Sequence, residues 1–390
     1  MSLSGPFKTV KPMSHPTTGH YDVVVIGAGI CGLAHALAAA RRSRRVLVID
    51  RDAQANGASV RNFGFVTVTG QQRGECWNRA MRSREIWEDV ASKASIPILQ
   101  RGLAVATRRP EGRALLEAFA ATEMGDGCEL LEAGDTRKRF PMFAKAREPA
   151  AVLYSPHELR VESREAIPRL AAWLAEAYDV TFLRETAVHG VMPPQIATSR
   201  GVVAADAAIV CPGDDFHSLF SERLSAYALT RCKLHMMRLA PLPDAPLDAP
   251  DMSDLGLVRY LGYAELPQAE PLKRRLEREQ PAHLANGVHL IAVQNADGSL
   301  VVGDSHHYAA TPDPFVPQAV DDLILDEFEH VFGARAGVRE RWTGTYASSM
   351  DRLALIDRPS DAVRIVVVTS GTGASTSYAI GEEVVGDLFG

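Results

Sequence analysis

The sequence of 390 residues predicts an α/β protein built around a doubly wound parallel sheet. Three observations predict it. An apolar run, Tyr21 to Ile26, leads into Gly27-Ala28-Gly29-Ile30-Cys31-Gly32, an alanine-rich helical stretch and a second apolar run that ends on Asp50. A buried strand from Ala205 to Val210 closes on Cys211-Pro212-Gly213, the pattern of a parallel sheet returning to its ligand edge. A third apolar run, Val363 to Thr369, enters Ser370-Gly371-Thr372-Gly373-Ala374-Ser375-Thr376 and then a helix from Tyr378 to Leu388.

The first unit is a βαβ motif with a physical job for each part. Gly27 permits the tight turn out of the strand, Gly29 lets backbone approach a pyrophosphate, and Gly32 lets the helix pack close to the sheet. Ile30 and Cys31 open the helix, whose N-terminus offers free N–H groups and a positive dipole end to phosphates. Asp50, followed by Arg51, lies where a carboxylate accepts hydrogen bonds from ribose hydroxyls. A glycine-rich turn without a ligand does not account for the strands, the small-residue helix and the acid together. The unit leaves NAD and FAD both open.

Composition bounds the rest. Charged residues at 23% and hydrophobic residues at 46% give the balance of a globular protein long enough for two domains. A net charge of −6 argues against nucleic acid or an anionic membrane as partner. No apolar run approaches the roughly 20 residues that span a bilayer. Residues 1–19 lack an apolar core and read as a loose arm. The five cysteines are scattered without a Cys-x-x-Cys pair, so no metal site is expected, and a reducing cytoplasm fits.

Taken in order, Gly57-Ala58-Ser59-Val60-Arg61-Asn62-Phe63-Gly64 is a loop of small and hydrogen-bonding residues. It can run along a long dinucleotide with Ser59 and backbone N–H groups on phosphate, or be an ordinary surface loop. Trp77 to Ala94 reads as an amphipathic helix, Gln100 to Thr107 as a strand, Glu111 to Thr122 as a helix, and Arg137-Lys138-Arg139 as a solvated basic run. Ser155 to Glu162 reads as a turn, Arg164 to Ala177 as a helix, Val180 to Phe182 as a strand, and Thr198 to Gly213 as a hairpin. Thr230 to Leu239 reads as a strand with Arg231, Lys233 and His235 on one face and Cys232, Leu234 and Met236 on the other. Leu255 to Tyr263, carrying Arg259 and Tyr260, reads as a further strand, and Leu272 to Gln280 as a charged, solvent-facing helix. Val288 to Val293 and Ser299 to Gly303 flank Asn295-Ala296-Asp297-Gly298, a strong hairpin signal that runs on to His306. Gln318 to Phe332 is an acidic amphipathic helix. The distant C-terminal glycine turn favours FAD, which is longer than NAD and is commonly embraced by several segments.

These segments together resemble the D-amino-acid oxidase and glycine oxidase superfamily of FAD-dependent amine oxidoreductases. The resemblance spans about residues 20–390 and rests on the fingerprint through Asp50, the loop from Ser59 through Asn62 and Phe63 to Gly64, the return strand to Gly213, the Asp297-Gly298 hairpin, Trp342-Thr343-Gly344, and the turn from Ser370 to Thr376. A closer similarity is to a bacterial subgroup linked with aminophosphonate breakdown, carried by Gly57 to Gly64, Glu158-Leu159-Arg160-Val161-Glu162, Arg231-Cys232-Lys233-Leu234 and Gly303-Asp304-Ser305-His306.

The resemblance implies a discontinuous FAD-binding domain (20–76, 150–222 and 340–390) and an inserted α+β substrate domain (77–149 and 223–339) whose largely antiparallel sheet covers the flavin. It implies that a neutral amine passes a hydride to flavin N5, that the imine hydrolyses, and that O2 or another acceptor reoxidises the flavin. Such chemistry needs no dedicated general base. Binding of FAD is expected to be noncovalent, because no cysteine stands near the C-terminal turn where some relatives tether it.

One departure bears on the substrate. Amino-acid-binding members commonly read Trp-x-Gly-x-Arg-Pro, with the arginine forking the substrate carboxylate, whereas this chain reads Trp342-Thr343-Gly344-Thr345-Tyr346-Ala347. A phenol gives one uncharged hydrogen bond in place of a bidentate charged pair. Either the carboxylate is absent from the substrate or another cation replaces the arginine. An aminophosphonate is therefore expected, held by a spread of Arg61, Arg160, Arg231, Arg259, Tyr260 and His306, with Tyr346 and Lys233 at the reacting end. Lys233 either lies over the flavin, where its ammonium stabilises developing superoxide, or points to solvent. The rival readings are an amino-acid oxidase or dehydrogenase, a flavin enzyme of a hydroxylated phosphate, and a flavoprotein without catalysis. The oligomeric state is left open.

Overall fold

The computed structural model describes residues 19–143, 149–242 and 246–390. The expected N-terminal arm, apart from Gly19, lies outside them. In chain order the strands are β1 (His20–Ile26), β2 (Val46–Ile49), β3 (Phe65–Val66), β4 (Ile98–Thr107), β5 (Glu129–Leu131), β6 (Ala151–Val161), β7 (Thr181–Leu183), β8 (Val188–Met192), β9 (Gln195–Thr198), β10 (Gly201–Val210), β11 (Leu229–Leu239), β12 (Asp251–Ser253), β13 (Ile291–Gln294), β14 (Leu300–Gly303), β15 (His307–Ala309), β16 (Val338–Ser349), β17 (Ala354–Ser360) and β18 (Val363–Val368). The helices are α1 (Ile30–Arg41), α2 (Glu75–Lys93), α3 (Pro110–Ala120), α4 (Ala133–Arg139), α5 (Ser163–Tyr178), α6 (Ser221–Leu224), α7 (Leu261–Ala264), α8 (Ala269–Glu279), α9 (Pro281–Ala285), α10 (Gln318–Phe332) and α11 (Gly373–Phe389). None of the described helices is long and apolar enough to cross a membrane.

The first sheet runs β17-β18-β10-β1-β2-β7, with β8 and β9 appended to β10. β18, β10, β1, β2 and β7 are mutually parallel. β1 reads as an unbroken apolar run because both its faces are covered. Val23 and Val25 pack with α1 and α5, and Val24 packs against Leu47 and Ile196 on the other face. All three valines are fully buried, a contribution of about 1.5–3 kcal/mol each. The alanines of α1 let α11 pack close, down to Gly381, where a Cβ would stand 3.0 Å from the Ala34 carbonyl.

The second sheet runs β15-β11-β14-β13-β12-β4-β6-β3, with β16 on β11 and β5 on β6. Its ladders are antiparallel except β12 with β4. Its core joins Leu103, Val105, Phe119, Met236, Ile291 and Phe328. β16 ends where Ser348 bridges to Ser370, tying the second sheet to the C-terminal turn of the first. β3 and β6, which fall within the ranges 20–76 and 150–222 given above to the FAD-binding domain, stand in the second sheet.

Three local expectations are corrected. The segment from Ser155 to Glu162 lies mostly in β6 and is no turn. Pro156 is accommodated at a register shift opposite Gly102, where the ladder is already interrupted and a missing N–H costs nothing. The segment from Leu255 to Tyr263 is a 3-10 turn (Gly256–Val258) followed by α7, because Gly262 must approach the backbone of Gly70 and Gln71. α8 is charged but not wholly solvent-facing, since it buries Ala269, Leu272 and Leu276.

Candidate active site

A cavity of ≈ 910 Å³ runs from the glycine turn after β1 to the face of the second sheet, near the upper end of the roughly 300–1,000 Å³ of small-molecule sites. At its first end Gly27 takes φ +105°, and a Cβ there would lie 2.4 Å from the Cys211 carbonyl oxygen. The Ile30 N–H donates to Ser59 Oγ (2.9 Å) and the Ala28 N–H to Asp50 Oδ2 (2.6 Å). The N-terminus of α1, the acid after β2 and the Ser59 loop thus converge. Arg51 lines the same end and pairs with Asp215 at 2.7 Å. Asn62 shapes the loop, donating to the Ala58 carbonyl (2.6 Å) and accepting from the Gly64 N–H (2.6 Å). Trp342 clamps it from β16 through an indole N–H to the Arg61 carbonyl (3.2 Å).

The N-terminus of α11 faces the middle of the cavity. Gly371 takes φ +73°, and Thr372, Gly373 and Ala374 form the wall, with the Trp87 indole holding the Ala374 carbonyl at 2.8 Å. Ile30, Cys31, Gly32, Phe63 and Gly213 also line the cavity. Gly64, Ser375 and Thr376, expected at the cofactor, are set back from the wall. Gly64 turns the loop against the Val161 carbonyl, while Ser375 and Thr376 bond within the first turn of α11 and to Thr67.

At the far end the register of β15, β11 and β16 places Tyr308, Cys232 and Tyr346 side by side in one row. Arg259 enters from the 3-10 segment and donates to the Tyr308 hydroxyl at 2.8 Å. It has no ion-pair partner among the described residues. Burial works against its charge, but the Tyr308 and Tyr346 phenols and the Asp304 carboxylate outweigh that and raise its pKa. Burial raises the Tyr260 and Tyr346 phenols, so both remain neutral donors.

His289, Asp304 and His306 form a buried cluster beside Arg259, their ligand atoms all within 4.8 Å of one another. Paired backbone bonds set His289 against Asp304: N–H to carbonyl at 3.2 Å in one direction and 3.0 Å in the other. Burial pushes the Asp304 carboxyl up to about 7, with Arg259 opposing, and pushes both imidazoles well below their usual range. Arg259, Tyr260, His306 and Tyr346 are expected here from the sequence; His289 and Tyr308 are not, and Asp304 is marked there only as part of the Gly303-to-His306 motif. The available signal was the polar run from Asp304 to Tyr308 directly after an apolar strand.

Several expected residues are elsewhere. Lys233 is 4% exposed and lies on the face of β11 opposite Leu234, donating to Asp313 Oδ1 (3.1 Å) and to the Asp313 and Phe315 carbonyls. It faces neither the cavity nor solvent, which removes it from the reacting end. His235, on the same face, meets Asp321 of α10. Arg231 stacks over Phe216 and bonds the Asp214 and Ala310 carbonyls. Arg160, 1% exposed, holds the Phe63 and Gln294 carbonyls and Asn295, so it braces the Ser59 loop against the β13–β14 hairpin. Arg61 lines the cavity at its cofactor end, within 3.3 Å of Asn56.

The model of the FAD-dependent oxidoreductase (DAO) family matches residues 22–386. The chain belongs to the DAO family. Monomeric sarcosine oxidase of Bacillus sp. (strain B-0618) is 27% identical over 202 residues, 50% of this chain and 51% of that protein, so the match spans about half the length of this relative. The fold is similar to glycine oxidase from Geobacillus kaustophilus (TM-score 0.73, 19% identity, 95% of both chains). It is similar too to L-proline dehydrogenase from P. horikoshii (TM-score 0.74, 18% identity, 93% of this chain and 91% of that one).

FAD fits the DAO-family cavity here. Two helix N-termini, an acid at the ribose position and glycines whose Cβ atoms would fill the turn all stand along one wall. The cysteines on the wall are Cys31 and Cys211, under the first glycine turn, and the C-terminal turn has none. The neighbouring Cys211 thiol, with His35 beside both, lowers the Cys31 thiol against the effect of burial. Acid precipitation is expected to release all the flavin as FAD; colour retained in the pellet would show a covalent bond.

Proposed function

We propose that this DAO-family protein oxidises a small amine that carries a phosphonate, 2-aminoethylphosphonate or an N-methyl or hydroxy relative. The observation that carries the reading is Arg259, a cavity guanidinium held by a phenol and unpaired by any carboxylate among the described residues. It supplies the cation that Tyr346 lacks. Tyr260, Tyr308 and Tyr346 line the cavity with it and add neutral donors around the guanidinium, which suits three tetrahedral oxygens better than one planar fork. FAD, once bound along the glycine turns, would supply the electron sink for loss of hydride from the substrate's α C–H. The chain's part is to hold the acid group at the far end, orient the amine between the two sheets, and keep the cavity dry. On this reading the first sheet with its helices is the FAD-binding domain and the second the substrate domain.

A second reading, oxidation of an amino acid, is favoured by one observation: Arg231 and Lys233 stay outside the cavity, so Arg259 is the guanidinium at its far end, and one guanidinium matches one carboxylate. Anaerobic bleaching of the flavin by a substrate panel separates the two. Across glycine, sarcosine, D-alanine, 2-aminoethylphosphonate and its N-methyl and 1-hydroxy derivatives, an aminophosphonate is expected to lead in kcat/KM by at least about tenfold, roughly 1.4 kcal/mol. Parity with glycine, sarcosine or D-alanine assigns the amino-acid reading instead. Bleaching by an alcohol alone, or by nothing, removes both.

A further inference from the structure

Three buried polar atoms of the far end stand unpartnered among the described residues. Asp304 Oδ1 and both ring nitrogens of His289 have no hydrogen-bond partner among the described residues, although His289 Nδ1 is only 3.3 Å from Asp304 Oδ1. His306 Nε2 stands 3.7 Å from Asp304 Oδ2, beyond hydrogen-bond reach. Its other nitrogen, Nδ1, meets the Gly287 carbonyl at 2.9 Å. A carbonyl only accepts, so Nδ1 carries the proton and Nε2 presents a lone pair. Gly287 is needed there, because a Cβ would stand 2.9 Å from the His306 Cβ. Such orphaned buried polar atoms are costly to folding unless a ligand satisfies them.

We propose that Asp304, with His289 and His306, is the receptor for the substrate's ammonium group and takes one of its protons. The inference rests on the amine reading above and deepens it. Asp304, an imidazole nitrogen of His289 and His306 Nε2 offer three acceptors, and an ammonium or a singly methylated ammonium has two or three N–H donors. In the step, one N–H bond breaks and one carboxyl O–H bond forms. An ammonium and a carboxylate become a neutral amine and a neutral acid, with no electron gained or lost. Burial drives the exchange in that direction, since it penalises the charged pair and favours the neutral one. The product is the neutral amine whose lone pair hydride departure from the α carbon requires. A divalent metal suits the site less well, because it brings two charges beside Arg259 and cannot shed them.

The groups facing Asp304 are Arg259 and Tyr260 from the 3-10 segment, His289 and His306 from its flanks, and Cys232 from β11. Asp304 is pushed up to about 7 by burial, so the carboxylate form that accepts the proton is lost as pH falls through that value. Wild-type flavin reduction is therefore expected to drop below pH 7 and to be level above it. Asp304→Asn cannot take the proton. In stopped-flow anaerobic reduction by 2-aminoethylphosphonate its rate is expected to fall at least about 100-fold at pH 7. It then climbs about tenfold per pH unit towards pH 10, as neutral amine becomes available from solution near its own pKa of about 10. A uniform loss at every pH marks a merely structural role and overturns the proposal.

A binding arm stands apart from turnover. Perturbation of the flavin spectrum compares 2-aminoethylphosphonate with ethylphosphonate and glycine with acetate. In at least one pair wild type should prefer the amine by about tenfold or more, and Asp304→Asn should abolish that preference while binding the amine-free acid unchanged. An absent preference in wild type, or one that survives in Asp304→Asn, overturns the receptor. Failure of the amine panel to bleach the flavin overturns the proposed function without changing what this binding arm reads. Stoichiometric metal in the holoenzyme, with the amine preference lost on chelation, reassigns the cluster to a metal and overturns the proposal as well.

Discussion

Replacing Arg259 with methionine is expected to abolish productive binding of the substrate while leaving the yellow holoenzyme intact. Arg259 hydrogen-bonds Tyr308 at the far end and none of the described residues of the two glycine turns, so FAD content and the flavin spectrum should match wild type. Removing one partner of a desolvated, hydrogen-bonded charge pair costs about 2–5 kcal/mol. The kcat/KM for the best substrate should then fall at least about 100-fold, roughly 2.7 kcal/mol, mostly through KM. Arg259→Lys keeps the charge but loses the planar fork and should fall between the two. Unchanged kcat/KM in Arg259→Met removes this residue from the substrate and with it the case for an acid group at that end of the cavity.

The second large effect is at the opposite end. Gly29 has φ −76° and ψ 179°, an extended conformation open to any residue, so a side chain there does not strain the backbone. The obstacle is space: a Cβ would stand 2.9 Å from Ser59 Oγ, and valine adds two methyl groups where a pyrophosphate passes. Gly29→Val should purify as a folded protein, with wild-type circular dichroism, but nearly colourless. Flavin content below about a tenth of wild type corresponds to at least about 1.4 kcal/mol of lost binding. Retention of stoichiometric FAD places the pyrophosphate elsewhere.

What the sequence reveals follows from how local each signal is. The βαβ unit is legible because strand, glycines, helix and Asp50 are consecutive and each constrains the next. The face alternation of β11 is legible too, and the structure keeps Lys233 and His235 on one side and Cys232 and Leu234 on the other. Which side meets the cavity is a tertiary fact. It depends on the 313–315 segment and α10 covering the lysine face, and nothing within 230–239 encodes that. Arg160 is misjudged for a related reason. A buried arginine that satisfies backbone carbonyls has the same local sequence as one that awaits an anion, and only its partners distinguish them. Pro156 reads as a turn because a proline's cost to a ladder vanishes only at a bulge, and the partner strand that makes the bulge is about fifty residues away. Asp304 stands in the Gly303-Asp304-Ser305-His306 motif, but that it shares a site with His289 is settled only when the hairpin folds the two side by side.

The central strand of the first sheet carries a consequence for how the protein is made. β10 pairs on one side with β1 and on the other with β18, both in parallel, and α11 lies against α1. A ribosome adding roughly 5–20 residues per second exposes β1 and its glycine turn many seconds before β18 and α11 exist. During that interval the open edge of β10 is an unpaired apolar template, and the cofactor cradle lacks one of its two helix ends. Capture of FAD is thus a late event in biogenesis: the cradle is complete only once β18 has closed the β10 edge and the N-terminus of α11 has formed.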